Sequence, residues 1–228
     1  MDYEHTSPRD QIKGTKVKGR IIIFDNEGVI VPTNWDLVAR LISERFAITP
    51  VSGTNLKRSL QLPGENSRNL LQEYSCGAIS LEGYWSRVLH IYGLPETAQN
   101  IAMMSSALEA LAGTPDQETV GLLEDLKSKG YPLLMLSNAT PEIARGNQTR
   151  DRYFRHFDKC YYSFEIGYRK PEPEAFHVVL RDTGFQPAKC IFVDDKMVNV
   201  KAAIAEGMVG IEHHIGAEPL KDKLAPYL

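Results

Sequence analysis

Two carboxylates one residue apart, Asp25 and Glu27, follow an apolar run in the stretch IIIFDNEGVI at 21–30, with Gly28 immediately after them. Further along the 228-residue chain, the run PLLMLS at 132–137 delivers Ser137 with Asn138 behind it, and KCIFVD at 189–194 delivers the pair Asp194 and Asp195. Lys170 stands directly before the proline-rich stretch PEPEAF. Carboxylates crowded together repel one another unless a cation joins them. Oxygen-only ligation favours Mg2+, which keeps several waters and shares phosphate oxygens with its substrate. Lys170 and Ser137 would hold the other phosphate oxygens and offset the charge that develops on them. In such a setting a carboxylate can take up a phosphoryl group as an aspartyl-phosphate, which water then cleaves.

These groups meet only if the fold brings them to one edge. Four runs read as strands, RIIIFD at 20–25, PLLMLS at 132–137, KCIFVD at 189–194 and a weaker VGIEHH at 209–214; CYYSF at 160–164 is a fifth, weaker candidate. Runs that are apolar on every residue suit strands covered on both faces, as in a doubly wound parallel sheet. Helical patterns separate them. QETVGLLEDLKSKG ends on Gly130, PEPEAFHVVLRDTG carries Pro and Glu in its first turn and stops at Gly184, and VNVKAAIAEG closes on Gly207. The alternation predicts an α/β fold whose parallel strands all point their carboxyl ends, and so the chemical groups, the same way.

Between the first strand and the next clear one lie helical patterns with little strand character: NWDLVARLISERFA, ENSRNLLQEYS, SLEGYWSRVLHIYG and AQNIAMMSSALEALAG. A connection of that length is structured rather than a loop. The expected organisation is a mobile polar leader at 1–19, an α/β core of 20–33 and 113–228, and a helical cap of 34–112 lying over the ligand edge of the sheet.

Bulk properties narrow the function classes. A formal charge of −3 gives no electrostatic case for nucleic acid or an anionic membrane, and no apolar run approaches a membrane span. Cys76, Cys160 and Cys190 are scattered, with no CxxC pair, and read as reduced thiols of a cytoplasmic protein. The expected partner is a small-molecule phosphate ester.

The sequence resembles the haloacid dehalogenase superfamily, whose four motifs appear in order: FDNEGV (family form DxDG[TV]), LLMLSN, the lysine of YRKP, and IFVDD. The stretch from Gly167 to Asp195 is similar to the bacterial sugar-phosphate phosphatases of that superfamily, and the insertion to its helical type of cap. The resemblance implies that Asp25 is nucleophile and metal ligand. Glu27 takes the place of the general acid/base, with its main-chain carbonyl facing the metal. Ser137 and Asn138 contact the phosphoryl group, Lys170 binds phosphate and steadies Asp25, and Asp194 and Asp195 complete a Mg2+ site. The cap should close over the substrate, exclude water and choose the leaving group.

Glu27 departs from the family form, which has Asp there. The extra methylene moves the carboxyl by roughly 1.5 Å on an unchanged backbone, and a misplacement near that size costs on the order of 100-fold in rate. Three readings follow: a working acid on a shifted backbone, a slow enzyme, or a proton supplied from the cap. The expected activity is Mg2+-dependent hydrolysis of a small phosphorylated metabolite, with a sugar phosphate as one substrate class. The alternatives are a phosphomutase using the same intermediate and a catalytically impaired descendant that binds phosphometabolites or a protein. The metal-free dehalogenase branch is disfavoured, since its members carry Tyr where Glu27 stands.

Other residues have plainer readings. Asn138 either meets phosphate or shapes its turn, and Asn199 reads first as a cap for the following helix, with contact to the Asp pair as the alternative. Lys196 reads as a solvated loop charge. Trp35, Tyr84 and Trp85 read as cap packing. Adjacent His213 and His214 point to opposite faces and do not chelate one ion. Arg45, Lys57, Arg58 and Arg68 read as solvated cap charges, one of which could face the site and read an anionic tail of the substrate.

Overall fold

The structure, a computed structural model, describes residues 19–48, 52–61, 68–150 and 152–228. The leader lies outside these residues, apart from Gly19. Five strands form one parallel sheet: β1 (Ile21–Phe24), β2 (Leu133–Ser137), β3 (Lys159–Tyr162), β4 (Cys190–Asp194) and β5 (Val209–Glu212), in the order β3-β2-β1-β4-β5. Every residue of β1, β2 and β4 is buried, which is why these segments are apolar throughout. Alternate residues serve opposite faces. Ile22, Phe24, Leu133, Met135, Ile191 and Val193 enter one core, and Ile21, Ile23, Leu134, Leu136 and Phe192 enter the other. Ile22 is fully buried, so truncating it to Ala removes packed volume worth about 2–5 kcal/mol.

β1 is central. The chain runs outward from it through β2 to β3, then returns to the other side for β4 and β5. The order therefore reverses beside β1, and the crevice for a ligand opens at the carboxyl ends of β1, β2 and β4.

Among the described residues, five helices occupy the long connection after β1: α1 (Trp35–Phe46), α2 (Gly53–Leu60), α3 (Leu70–Tyr74), α4 (Leu81–Ile91) and α5 (Ala98–Leu108). Side-chain oxygens of Asn34, Ser52, Asn69, Ser80 and Thr97 cap their first turns. The sequence expected a longer α3 and α5. The first part of ENSRNLLQEYS falls outside the described residues, and α5 gives way to a 3-10 turn at Glu109–Leu111. α2 carries little apolar signal, only Leu56 and Leu60 on one face of GTNLKRSL, yet both are fully buried.

The remaining helices follow the expected alternation: α6 (Gln117–Ser128), α7 (Pro141–Arg150), α8 (Ser163–Ile166), α9 (Pro173–Thr183), α10 (Met197–Ala205) and α11 (Leu220–Leu224). Pro173 opens α9 and Gly184, at φ 71°, ends it. The chain leaves and re-enters the sheet side by side. Asn34 N–H donates to Leu111 O at 2.7 Å and Gly113 N–H to Pro32 O at 2.8 Å.

One buried carboxylate ties the connection to the helix after β2. Glu142, in the first turn of α7, is fully buried, and its Oε1 accepts from Tyr74 Oη (2.7 Å), Trp85 Nε1 (2.9 Å) and Ser105 Oγ (3.1 Å). Those donors come from α3, α4 and α5, so one acceptor fixes three helices against α7.

Candidate active site

Asp25 is the first residue past β1 and is still tied to the sheet through its N–H, which donates to Val193 O at 2.8 Å. Its Oδ1 accepts from Asn26 N–H at 2.7 Å and from Lys170 Nζ at 2.8 Å. Lys170 is 1% exposed, and its ammonium also reaches Asp194 Oδ2 at 2.8 Å. What brings this lysine under the strand ends is Asn138. The amide of Asn138 donates to Lys170 O and accepts from Lys170 N–H, both at 2.8 Å, so the turn after β2 grips the loop before α9 at two points.

Gly28 has two reasons to be glycine. Its φ of +92° is strained for any other residue, and a Cβ there would lie 2.5 Å from Asp195 Oδ2. The turn after the two acids must therefore lack a side chain for Asp195 to sit where it does.

Glu27 is firmly placed. Its Oε2 accepts from Ser137 Oγ at 2.9 Å, and its Oε1 accepts from Asn147 Nδ2 at 2.8 Å and Asn26 Nδ2 at 3.0 Å. Asn26 is held in turn by Tyr153 Oη at 2.7 Å. Ser137 and Asn147 are each 1% exposed, so both donors depend on this carboxylate.

Three carboxylates share this edge with one buried ammonium. Burial pushes the Asp25 carboxyl up to about 7 against the pull of Lys170, with Asp194 adding to the rise. Asp195 is raised as well, first by burial. Asp194 is buried too, but its donors outweigh burial and hold it below the usual range: Lys170, the Lys196 N–H at 2.8 Å and Asn199 Nδ2 at 3.0 Å from both oxygens. Burial alone would lower Lys170, yet Asp25 and Asp194 keep it above its ordinary value.

The cluster fits a metal site. One oxygen from each of Asp25, Asp194 and Asp195 lies within 4.8 Å of the others, and no other such group occurs among the described residues. Asp195 Oδ1 is buried without a hydrogen-bond partner, with Lys196 Nζ no nearer than 3.7 Å. An orphaned oxygen in an all-oxygen set suits a hard divalent cation.

A cavity of about 160 Å3 opens beside Asp25 and Glu27, walled on the far side by Trp35, Lys57, Gln61, Gln72 and Arg169. A larger hollow of about 320 Å3 between α6 and residues 213–221 contains no member of the acidic cluster, so the smaller cavity is the one that bears on chemistry.

Several sequence readings change here. Asn199 lies within α10 and binds Asp194, while Lys196 takes the cap position, so Asn199 is no helix cap. Trp35 packs against the core as expected and also lines the cavity, as does the largely exposed Lys196. Ser137 bonds to Glu27, and Thr140 caps α7. Arg45 is spent on Met103 O and Ser106, Arg68 binds Glu172 through two hydrogen bonds, and of the four cations Lys57 is the one that lines the cavity. His213 is buried and His214 exposed. Asn147 was missed: it lies 120 residues from Glu27 in a largely polar helix, and nothing in ARGNQTR marks it.

The model of the haloacid dehalogenase-like hydrolases matches residues 20–207. The chain belongs to that family. Among its relatives, the sesquiterpene phosphatase AstK of Aspergillus oryzae is 32% identical over 145 residues, 61% of this chain and 70% of that protein. D-ribitol-5-phosphate phosphatase of Bacteroides thetaiotaomicron is 28% identical over 209 residues, 86% of this chain and 93% of its own. A HAD-family enzyme from the same bacterium, crystallised with magnesium and inorganic phosphate, superposes with a TM-score of 0.71 at 21% identity, over 87% of this chain and 96% of that one. At that identity the superposition speaks for the shared fold. No described helix is long and apolar enough to cross a membrane.

Proposed function

We propose that the chain is a Mg2+-dependent phosphatase of small phosphorylated metabolites, working through an aspartyl-phosphate on Asp25. The observation that carries this reading is the buried Asp25–Lys170–Asp194 chain of ion pairs, at 2.8 Å each, beside the partnerless oxygen of Asp195. Relatives named as phosphatases support the reaction class.

In this mechanism Asn26 and Lys170 hold Asp25 Oδ1, so Oδ2 is the oxygen that attacks phosphorus in line. The bond to the leaving oxygen breaks as Glu27 gives that oxygen its proton. Glu27 then takes a proton from water, whose oxygen attacks the phosphorus, frees Asp25 and yields inorganic phosphate. Asp25, Asp194, Asp195 and the Glu27 carbonyl would hold the Mg2+, which when bound orients the phosphoryl oxygens and offsets their charge. Lys170 lends the same charge support from the other side, and Ser137 and Asn138 border the phosphoryl end, where their side chains hold Glu27 and the Lys170 backbone in place.

We assign 20–33 and 113–228 to a catalytic core and 34–112 to a cap. The paired crossing of residues 32–34 with 111–113 supports that boundary. The small volume of the cavity, about 160 Å3, favours a polyol or sugar phosphate over a bulky isoprenoid. The reading also favours a cytoplasmic setting, where such metabolites occur. The test is phosphate release from a panel of esters, with Mg2+ and with chelator, for wild type beside Asp25→Asn. Release that needs both Mg2+ and Asp25 supports the mechanism. Release that survives Asp25→Asn rejects it.

A further inference from the structure

Apart from Asp25 and Glu27, every charged side chain lining the cavity is a cation: Lys57, Arg169 and Lys196. Lys196 belongs with the acids, 3.7 Å from Asp195 Oδ1. Lys57 and Arg169 do not. Neither forms an ion pair with a described carboxylate. Glu172 attracts Arg169, but its oxygens are occupied by Arg68 (2.9 and 2.5 Å) and by the Arg169 N–H at 3.2 Å. The Nε of Arg169 is buried with no hydrogen-bond partner. With Glu172 already taken by Arg68, the half-buried guanidinium is incompletely compensated, a cost that an anion in the cavity would offset.

Lys57 faces the same space from α2, with its ammonium 5.8 Å from the centre of the Trp35 ring. Successive residues diverge at the loop before α9. Lys170 reaches Asp25, while Arg169 turns toward Arg68 and Cys76, on the cap side. Amide and hydroxyl groups of Gln61, Gln72 and Ser75 line the interval. The volume, about 160 Å3, lies well under that of drug-sized sites.

We propose that this end of the cavity reads a second oxyanion, a carboxylate or a second phosphate, carried by the leaving group on a short hydroxylated chain, with Arg169 and Lys57 as the specificity-determining residues. The inference rests on the phosphatase reading for the position of the reacting phosphoryl group.

The test uses a matched pair of probes, 3-phosphoglycerate and glycerol 3-phosphate, which differ in a carboxylate against a hydroxymethyl group. Wild type with Mg2+ is expected to show kcat/KM at least ~10-fold higher for 3-phosphoglycerate, the size of one charge-assisted hydrogen bond. Arg169→Gln and Lys57→Gln should each bring that ratio down several-fold, and Lys57, being exposed, tests the idea without threatening the fold. Calorimetric binding of both probes to Asp25→Asn reads the same preference without turnover. Equal turnover of the two probes and equal binding overturn the second-oxyanion subsite and leave the phosphatase reading standing. No turnover of any ester, with 3-phosphoglycerate still bound more tightly, rejects the phosphatase reading and keeps the subsite. A preference that neither variant alters overturns the assignment to Arg169 and Lys57.

Discussion

Restoring the family's usual residue at the second acid should harm this protein. In Glu27→Asp the carboxyl retreats by roughly 1.5 Å. Its bonds to Ser137 Oγ and Asn147 Nδ2 start at 2.9 and 2.8 Å. Both then stretch to roughly 4 Å, beyond the hydrogen-bond range. Ser137 and Asn147 are almost fully buried, so water cannot replace the lost acceptor. Each unsatisfied donor costs about 1–3 kcal/mol, and one such loss lowers Tm by roughly 2–12 °C in a domain of this size. Misplacing the acid also slows the reaction, on the order of 10- to 100-fold in kcat.

Glu27→Gln separates the two effects. Its amide can satisfy the same neighbours, Ser137 oxygen included, so Tm should hold within about 1 kcal/mol of wild type. Proton transfer is lost, and kcat falls by about 10²–10⁴ on an alkyl phosphate, whose alkoxide needs that proton. The loss should be smaller on p-nitrophenyl phosphate, because p-nitrophenolate departs without one. The assays are phosphate release with both esters and thermal unfolding of all three proteins. Glu27→Asp matching or exceeding wild type at unchanged Tm would refute the argument, because Ser137 and Asn147 would then not be what sets the length of this side chain.

Other perturbations test other parts of the site. Gly28→Ala should drive Asp195 off its position, since the new Cβ would start 2.5 Å from Oδ2, and a shift of about 1 Å there predicts roughly 100-fold slower turnover, read by phosphate release. Mg2+ should raise the Tm of wild type, by the equivalent of about 2.7 kcal/mol at 100 times its Kd, and Asp195→Asn should lose most of that rise in a thermal-shift titration. Glu142→Ala strands three buried donors and should cost about 3–5 kcal/mol, seen as a Tm roughly 10 °C lower by calorimetry. Ala47 ends α1 at φ 49°, so Ala47→Gly should stabilise by roughly 0.5–1 kcal/mol, a small upward shift in urea midpoint.

The sheet and its acids were legible because they obey local rules. Strands buried on both faces must be apolar throughout, and Asp25, Ser137 and Asp194 stand where those runs stop. The contacts that tune the site obey no such rule. Asn147 reaches Glu27 from 120 residues away, and Asn138 grips Lys170 across 32. Asn199 looked like a helix cap because it stands near a helix start, but its amide is turned onto Asp194. Glu142 resembles any acid in a first turn until three donors from other helices are seen to converge on it. Such roles depend on which side chains the fold brings together, and spacing along the chain carries no trace of that.

Glu27 shows what this means for reading a departure from a family pattern. Taken alone, an extra methylene at the second acid suggests a site falling out of use. A carboxylate released from function would be expected to swing toward solvent, where its hydration is cheapest. Instead both of its oxygens are bound, by Ser137 from the end of β2, by Asn147 from α7 and by Asn26 from the same turn. Asn26 is fixed in turn by Tyr153, and Lys170 remains ion-paired to Asp25. Keeping a buried Asp25, its lysine and an acid held at three points costs desolvation at each group, and a pure binding module gains nothing from that expense. The longer side chain and its longer-range partners are better understood as a matched set, as the proposed proton transfer at this edge requires.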